Sequence, residues 1–315
     1  MNICITGALG HIGSQLLKSI KIDDGSVLHL VDNMANQRYC SLFDLPENNT
    51  IFHQIDIRSK EMDPIVKDSD IVIHLAAISD AESSVNNPEL VQQINIDGLQ
   101  NIIDLCAMHN TKLFFPSTTS VYGGVDETLN EDCPESSYQP QSPYAISKLK
   151  GEKLIQKAGN GHGLQFTIFR LGTIFGFSTG MRFNTAVNKF VFQAVSGQGI
   201  SVWKTAQYQR RPYCDLIDAI SAIKFIISND LFDREIYNIV TVNLTVNDIL
   251  TSIKNIIPDL QISYTESKIM NSLSYDVDNL KSNKKGFRYI GNLDASVKEL
   301  IEKFRHINKN VTYFL

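Results

Sequence analysis

Short runs of apolar residues alternate with longer amphipathic stretches through the first half of the chain. The runs are rich in Ile, Val and Leu at successive positions, a pattern typical of strands that are buried on both faces of a parallel sheet. Alternation of strand and helix with right-handed crossovers predicts a doubly wound parallel sheet of the α/β class. The predicted strands lie near Asn2–Thr6, Val27–Asp32, Thr50–Gln54, Ile71–Leu75, Leu113–Pro116 and Gln165–Arg170, and Ile236–Val240 is a further strand of the same sheet.

The regular alternation ends near Gly172, and the elements that follow are of mixed type. A chain of 315 residues is long enough for two lobes. We expect residues 1–180, with residues 213–240 returning to them, to form the sheet domain, and residues 181–212 and 241–315 to form a smaller lobe that closes over a substrate. The later part is predicted to contain helices over Asn184–Ser196, Asp215–Ser228, Thr245–Ile256 and Leu293–Phe304, and a strand over Ile200–Trp203.

Three glycines, Gly7, Gly10 and Gly13, follow the first apolar run directly and precede a helical stretch from Ile12 to Ile20. A buried strand that turns sharply into a helix at this point places free backbone N–H groups opposite a pyrophosphate, and a side chain there blocks the approach. The spacing therefore predicts a dinucleotide site. The alternative is that the glycines only serve a tight turn with close packing.

The second predicted strand ends in Asp32, 19 residues after Gly13. A carboxylate at that place accepts hydrogen bonds from an adenosine ribose and repels a phosphate on it, so NAD is preferred over NADP. Arg38 lies close enough in the sequence to keep NADP open. Because ligands bind at the carboxyl ends of parallel strands, the residues after the next strands are also candidate contacts, with ordinary loop residues as the alternative: Asp56, Ile57, Ala76, Ala77, Ser117 and Thr118.

Tyr144 and Lys148 are four residues apart, so on a helix their phenol and ammonium share a face and can act on one bound molecule. Ser142 and Pro143 form a natural helix start before them. The pair Tyr264 and Lys268 has the same spacing without that setting. An unperturbed Tyr titrates near 10, so base catalysis at neutral pH requires its pKa to fall by about three units, or roughly 4 kcal/mol of help from positive charge. The alternative is a solvated helix pair without a role in catalysis.

Six segments of the chain together form a specific pattern. They are Thr6-Gly7-Ala8-Leu9-Gly10-His11-Ile12-Gly13, His74-Leu75-Ala76-Ala77, Asn95-Ile96-Asp97-Gly98, Ser117-Thr118-Thr119-Ser120-Val121-Tyr122-Gly123, Ser142-Pro143-Tyr144-Ala145-Ile146-Ser147-Lys148 and Arg211-x-Tyr213. In these segments the chain resembles the extended short-chain dehydrogenases, specifically the NAD-dependent nucleotide-sugar epimerases and dehydratases. The resemblance covers nearly the whole chain and implies a doubly wound (Rossmann) fold with a smaller C-terminal substrate-binding lobe.

The resemblance implies roles for these residues. Tyr144 is the base, Lys148 lowers its pKa and holds the nicotinamide ribose, and Thr118 hydrogen-bonds the sugar hydroxyl that is oxidised. The NAD contacts extend to His11, Ile12, Asn33, Leu75 and Asn95, and the substrate contacts to Thr119, Thr173, Asn188 and Arg211. Relatives often pair through the helices that follow Ala77 and Pro143, which implies a homodimer.

The implied reaction oxidises a nucleotide sugar at C4 to a transient 4-keto sugar. Resembling dehydratases carry acids directly after the catalytic Thr, whereas this chain has Thr119 and Ser120 there, so elimination of water is disfavoured. We expect 4-epimerisation of the UDP-glucose 4-epimerase kind. The alternative is net 4-oxidation, because residues 175–183 resemble a branch that includes GDP-heptose dehydrogenases. A non-catalytic NAD-binding protein is a third possibility. Thr173 and Asp215 depart from the family pattern at positions expected to touch substrate recognition.

Composition excludes several other classes. A formal net charge of −5 with scattered Lys and Arg gives no basic face for nucleic acid. The chain enters its first strand without a cationic or apolar leader, and no run approaches membrane-spanning length, so we expect a cytoplasmic protein without a membrane partner. The five cysteines and seven histidines lack metal-ligand spacing, so no metal site is expected.

Overall fold

A computed structural model describes residues 1–21, 23–43, 45, 49–123, 128–266, 274–308 and 310–313. The described strands are β1 Ile3–Thr6, β2 Leu28–Val31, β3 Thr50–His53, β4 Ile71–His74, β5 Lys112–Thr118, β6 Thr128–Leu129, β7 Phe166–Leu171, β8 Thr173–Phe175, β9 Ile200–Trp203, β10 Arg211–Asp215, β11 Glu235–Ile239, β12 Val242–Leu244, β13 Ile262–Thr265 and β14 Asp276–Val277.

Among the described helices, a π-helical segment, Gln93–Asp97, joins the fourth α-helix to the fifth. They are α1 His11–Leu17, α2 Met62–Lys67, α3 Ala81–Ser84, α4 Pro88–Gln92, α5 Gly98–His109, α6 Pro143–His162, α7 Ala186–Val195, α8 Leu216–Ser228, α9 Val246–Lys254, α10 Leu280–Lys285 and α11 Leu293–Phe304. None of the helices in the described ranges is long and apolar enough to cross a membrane.

Seven strands form one parallel sheet in the order β11-β7-β5-β4-β1-β2-β3. The predicted doubly wound α/β fold is confirmed, and each of its seven predicted strands lies within a few residues of an observed one. The chain moves outwards from β1 to β3, then crosses back to β4 on the other side of β1. This reversal opens a crevice at the carboxyl ends of β1 and β4, where ligands bind in folds of this kind.

Both faces of the sheet are covered, which explains the unbroken apolar runs of its strands. Along β1, Ile3 and Ile5 pack into a cluster with α1 and α8, whereas Cys4 points to the opposite face. That second cluster contains side chains of α2, α5 and α6. Every residue of β1, β2, β4 and β7 is buried.

A third hydrophobic cluster lies outside the sheet and is built mainly from α7, β9, α9 and α11. The predicted elements of this region are confirmed apart from one or two residues at their ends. The cluster also includes Phe175 and Tyr213, which stand on β8 and β10 near the expected domain borders. Parts of 181–212 and 241–315 therefore share a core, whereas Phe287 packs into the first cluster beside the sheet. The division at residues 180, 213 and 240 stays a prediction.

Candidate active site

A cavity of about 680 Å³ opens at the carboxyl ends of the sheet strands. It runs from the glycine-rich turn after β1, past the ends of β4 and β5, to the loop before α7. Most of the residues predicted from the sequence line it: Gly7, Gly10, His11, Ile12, Gly13, Asp32, Asn33, Asp56, Ile57, Leu75, Ala76, Ala77, Thr118, Tyr144, Lys148 and Thr173.

The three glycines serve two purposes. Gly7 has φ +65°, and a Cβ there would lie 2.6 Å from the backbone nitrogen of Ala76, so the turn and the end of β4 approach as closely as glycine allows. A Cβ on Gly13 would lie 2.3 Å from the carbonyl oxygen of Ala8. Gly7 and Gly13 therefore do serve a tight turn with close packing, the alternative considered for the glycines. All three also line the cavity, and a cradle without side chains fits a dinucleotide.

Asp32 follows β2 and lines the cavity next to this turn. Its carboxylate accepts hydrogen bonds from the backbone N–H groups of Leu9 at 3.2 Å and Met34 at 2.9 Å, which fix its position. Arg38 lines the same part of the cavity. Burial lowers the pKa of its guanidinium, and the nearby Asp32 carboxylate opposes that shift. The Asp32 carboxylate is thus placed as predicted for an adenosine ribose, with a cation beside it.

Asp56, after β3, is held as an anion. Arg58 donates to it at 2.8 and 2.9 Å, and Asn33 donates at 3.4 Å. The hydrogen bond from the Arg58 side chain is the main cause that lowers the pKa of Asp56 to about 2. An ionised carboxylate in this wall accepts hydrogen bonds from an amino group, the role expected for it with adenine.

Thr118, Tyr144 and Lys148 meet on the other side of the crevice. Thr118 is the last residue of β5, and its hydroxyl lies beside the Tyr144 phenol, whose pKa it lowers. The Ser142 hydroxyl caps α6 by accepting from the N–H of Ala145 at 3.2 Å, so the helix starts where the sequence predicts. Tyr144 and Lys148 therefore face the same cavity from one side of α6.

The protonation of this group depends on charge and burial. Burial raises the pKa of Tyr144, whereas Arg182 and the Thr118 hydroxyl lower it. Burial lowers the pKa of Lys148 to about 7, and its side-chain nitrogen lies 4.3 Å from the centre of the Phe115 ring. Arg182 therefore places positive charge near the phenol, which base catalysis by a tyrosine requires.

Four predicted residues stand behind the cavity wall instead of lining it. Asn95 holds the loop after β4 through two bonds to the backbone of Ile78, at 2.8 and 2.9 Å, and donates to Ser147 at 2.9 Å. Thr119 is buried and donates to the carbonyl oxygen of Leu171 at 3.3 Å. These residues shape the wall, and direct contact of either with a ligand stays a prediction.

Asn188 and Arg211 are the other two. Asn188 accepts from the N–H of Gly176 at 3.2 Å and donates to the carbonyl oxygen of Arg182 at 3.1 Å, so it fixes the loop that forms one rim of the cavity. The Arg211 guanidinium lies 5.5 Å from the centre of the Tyr275 ring. Their predicted contacts with substrate are likewise untested by this geometry.

Asp215 is predicted to take part in substrate recognition, but it does not lie in the cavity wall. It is buried and caps α8 by accepting from the N–H of Ile217 at 3.1 Å. It also accepts from Ser296 at 2.6 Å and from the N–H of Asn292 at 3.2 Å. Asp215 therefore joins the starts of α8 and α11 and does not line the cavity, whereas Thr173 does.

Of the competing pair Tyr264 and Lys268, the structure describes Tyr264. It lies in β13 and is exposed, so it is not on a helix. Lys268 lies outside the described residues.

Three further cavity residues are not among the predicted contacts. Arg182 comes from the loop before α7 and donates to the carbonyl and hydroxyl oxygens of Ser79 at 3.0 and 2.8 Å, across the cavity. Ser120 and Tyr213 also line the cavity, and they belong to segments that carry the family resemblance. No single spacing connects the three positions, because separate segments of the chain bring them together. Within the described ranges, no cluster of three or more His, Cys, Asp or Glu side chains is arranged to hold a metal ion.

Known proteins share this architecture. A family model for the NAD dependent epimerase/dehydratase family matches residues 3–240. A relative from Bacillus subtilis (strain 168), described as the uncharacterized UDP-glucose epimerase YtcB, is 28% identical over 249 residues, which are 76% of this chain and 76% of the relative.

Two solved structures illustrate the similarity. The UDP-glucose 4-epimerase of Thermotoga maritima, with UDP-glucose, is 24% identical and superimposes with a TM-score of 0.81 over 97% of this chain and 99% of that one. The UDP-glucuronic acid 4-epimerase of Bacillus cereus, with UDP-glucuronic acid and NAD, is 21% identical and gives 0.85 over 98% and 100%. At these identities the structures show a common fold.

The family match covers the sheet domain, the glycine-rich turn and the Thr118, Tyr144 and Lys148 group. The cavity has the cradle and the carboxylate that a dinucleotide requires. The chain belongs to the NAD-dependent epimerase/dehydratase family.

Proposed function

We propose that this protein interconverts nucleotide sugars that differ in configuration at C4, through a 4-keto intermediate. The observation that carries the proposal is the meeting of Thr118, Tyr144 and Lys148 in the cavity that also holds the glycine cradle and Asp32. Oxidation of a hydroxyl needs a base next to a hydride acceptor. The first group of residues would supply the base, and the cradle with Asp32 would hold the NAD that accepts the hydride.

Each residue has a part in the proposed reaction. The Tyr144 phenolate removes the proton of the C4 hydroxyl while the C4 hydrogen leaves as a hydride, which turns the C4–O single bond into a carbonyl. Thr118 hydrogen-bonds the reacting oxygen, and Lys148 supplies positive charge beside Tyr144. Bound NAD supplies the hydride acceptor. After the keto sugar turns over, return of the hydride to the opposite face of C4 and of the proton from Tyr144 to the C4 oxygen gives the epimer and restores the Tyr144 phenolate.

Elimination of water from a 4-keto sugar requires an additional acid or base, and the residues after Thr118 do not provide one. Thr119 is buried against Leu171, and Ser120 lines the cavity with a hydroxyl. Val121 is fully buried. Elimination of water is therefore not supported by this segment, whereas epimerisation needs no group beyond those described.

The nucleotide and the sugar are proposed from the relatives. The two solved structures described above contain UDP-sugars, one neutral and one with a carboxylate. We propose a UDP-sugar. Arg182 lines the cavity near Tyr144, so both UDP-glucose and UDP-glucuronic acid belong in the first assays.

The test is incubation of the purified protein with UDP-, GDP-, CDP- and dTDP-sugars, including GDP-heptose. Chromatography identifies the sugar products, and absorbance at the reduced nicotinamide band follows the cofactor. An epimer with little net reduced NAD supports the proposal. Reduced NAD that accumulates with a 4-keto sugar supports the alternative 4-dehydrogenase. Absence of any reaction across the panel supports a non-catalytic NAD-binding protein.

We also propose a homodimer. The helical region after Ala77 and α6 expose apolar side chains, among them Leu90, Met108 and Ile146. Exposed apolar groups on adjacent helices favour association with a second copy. Light scattering on a size-exclusion column distinguishes a dimer from a monomer of 35.3 kDa.

The proposed compartment is the cytoplasm. All five cysteines are free, and Cys4, Cys106 and Cys214 are buried. Free thiols fit a reducing compartment.

A further inference from the structure

A buried ion pair lies directly behind the catalytic group. Glu152 and Arg170 have side chains that are 2% and 3% exposed. The Arg170 guanidinium donates to the carboxylate from Nε at 3.0 and 3.3 Å and from Nη2 at 2.7 Å. Its remaining nitrogen, Nη1, donates to the phenol oxygens of Tyr122 at 2.8 Å and Tyr138 at 3.2 Å. Neither member of the pair lines the cavity, so neither touches a ligand there.

The Glu152 carboxylate connects two catalytic elements. It stands on α6 one turn after Lys148, on the same side of the helix. It also accepts a hydrogen bond from the hydroxyl of Ser117. Ser117 directly precedes Thr118 at the end of β5. One buried carboxylate thus fixes the helix that carries Lys148 to the strand end that carries Thr118.

The surroundings of Lys148 leave its charge dependent on this carboxylate. The side chain is 4% exposed, and its ammonium lies over the face of Phe115 on β5. From β4, His74 faces it as a neutral ring, because burial lowers the pKa of that imidazole to about 3. Tyr144 lies one turn earlier on α6, and Glu152 is the group that opposes the effect of burial on the pKa of Lys148.

Arg170 does not cancel this effect, because of its orientation. The guanidinium carbon lies 4.9 and 4.7 Å from the ring centres of Tyr122 and Tyr138, which hold the positive charge on the side of β7. The carboxylate is on α6 itself. The pair therefore presents a dipole whose negative end is on the helix of Lys148, and a dipole in a buried site acts strongly on a nearby charge.

We propose that Glu152, oriented by Arg170, is a positioning residue that keeps Lys148 in its ammonium form and sets it against Thr118. The proposal rests on the proposed function for its catalytic consequence, but the state of Lys148 is measurable without any sugar. Loss of the carboxylate charge leaves Lys148 more easily deprotonated. Turnover then declines at a lower pH, because the neutral amine no longer supports the Tyr144 phenolate.

The experiment measures the reactivity of Lys148 with trace acetic anhydride against pH, by peptide mass spectrometry, in protein of one cofactor state. Glu152→Gln is nearly isosteric and keeps a hydrogen-bonding side chain. We expect the midpoint of Lys148 labelling to fall by about one pH unit or more. In the active enzyme, the alkaline limb of kcat should shift in the same direction while KM changes little.

Two controls separate charge from structure. Glu135→Gln removes an exposed carboxylate that pairs with Lys153 of α6 at 2.9 Å, and it should leave the Lys148 midpoint unchanged. Ser117→Ala removes a hydrogen bond to Glu152 without altering its charge, so the midpoint should also stay in place. Glu152→Asp keeps the carboxylate, so its Lys148 midpoint should lie close to that of the unaltered protein.

Glu152→Gln leaves Arg170 buried without its anion and can prevent folding. The double variant Glu152→Gln with Arg170→Met removes both charges and should show the same lowered midpoint. A folded variant that lacks the carboxylate and has the Lys148 midpoint of the unaltered protein overturns the proposal. If the labelling shift occurs but no sugar reacts, the positioning inference stands and the proposed function fails.

Discussion

At the scale of single residues, Tyr144 differs from other tyrosines by its neighbours. It shares a cavity with Lys148 and Arg182, and the Thr118 hydroxyl lies beside its phenol. Burial raises the pKa of Tyr144, whereas Arg182 and Thr118 lower it. We therefore expect positive charge in the cavity to support the proposed role of Tyr144 as a base.

We expect Tyr144→Phe to lower turnover by about 10²- to 10⁴-fold, because the substitution removes the group that accepts the proton. The phenyl ring stays in place, so NAD binding and the midpoint of thermal unfolding should change little. The measurements are kcat and a titration of NAD fluorescence. Tyr264→Phe, in the exposed strand β13, is the matched control and should retain full activity. Equal activities of the two variants would contradict the proposed role.

Gly7 gives a second prediction at this scale. Its φ is +65°, and an added Cβ would lie 2.6 Å from backbone atoms of the β4 end. Gly25 has φ +88° with no atom within 4 Å of an added Cβ, so it isolates the cost of the conformation. We expect Gly25→Ala to lose about 1 kcal/mol of unfolding free energy and Gly7→Ala to lose about 1–3 kcal/mol more. Urea unfolding measures both, and similar losses would exclude a steric role for Gly7.

At the scale of elements, α6 carries Tyr144 and Lys148 and is 20 residues long. Its start is fixed by the Ser142 cap and by Pro143 in the first turn. Gly163, with φ +74°, ends it. The same few residues set the register of the helix and therefore the direction in which the catalytic side chains face.

Ser142→Ala should destabilise the protein by about 1 kcal/mol, since the N–H of Ala145 loses its acceptor. The start of the helix frays and Tyr144 loses its fixed position, so kcat should fall by more than KM changes. Lys150→Ala, at an exposed position of the same helix, is the control and should leave unfolding midpoint and kcat unchanged. A stable Ser142→Ala protein with normal kcat would show that packing alone holds α6.

Elements of the sheet domain are predictable from the sequence because the central strands β1, β4 and β7, together with β2, are buried on both faces and so appear as apolar runs. The Ser142-Pro143 start and the glycine turn are local signals as well. The smaller lobe is less clear, since its strands β9 and β13 alternate buried and exposed residues or are largely exposed.

Contacts over long sequence distances explain what the sequence does not show. Arg182, in the loop before α7, meets Ser79 across the cavity, and Arg170 of β7 meets Glu152 of α6. Neither pair has a characteristic spacing. The contacts of Asp215 could not be predicted for the same reason, because its partners Asn292 and Ser296 are far away in the sequence.

At the scale of the whole molecule, residues 176–180, which lead from the sheet towards α7, are hydrogen-bonded to the start of α1. The His11 ring donates from Nε2 to the carbonyl oxygen of Gly176 at 2.9 Å, and Ser178 donates to the His11 carbonyl oxygen at 2.9 Å. The N–H of Gly180 donates to Ser14 at 2.9 Å. These bonds form a junction between the chain before α7 and the glycine-rich turn, and His11 both donates and accepts in it.

Two buried histidines, His11 of this junction and His74 of β4, make the free energy of unfolding depend on pH. Burial lowers the pKa of His11 to about 4, against 6.5 for the ordinary group, and burial lowers that of His74 to about 3. Between pH 6.5 and 4 the unfolded chain binds protons at both rings and the folded chain does not, so unfolding free energy falls as pH falls. Each ring contributes a slope of about 1.4 kcal/mol per pH unit, and His11 about 3 kcal/mol over the whole range.

We expect His11→Phe to be less stable at pH 7, because it loses the bond to Gly176, but to depend less steeply on pH between 6.5 and 4. Urea unfolding at several pH values gives both quantities. His162→Gln, at the exposed end of α6, is the matched control and should keep the slope of the unaltered protein. If His11→Phe has the same pH dependence of unfolding free energy as the unaltered protein, His11 takes up its proton in the folded state. The junction between residues 176–180 and α1 then does not depend on a neutral ring.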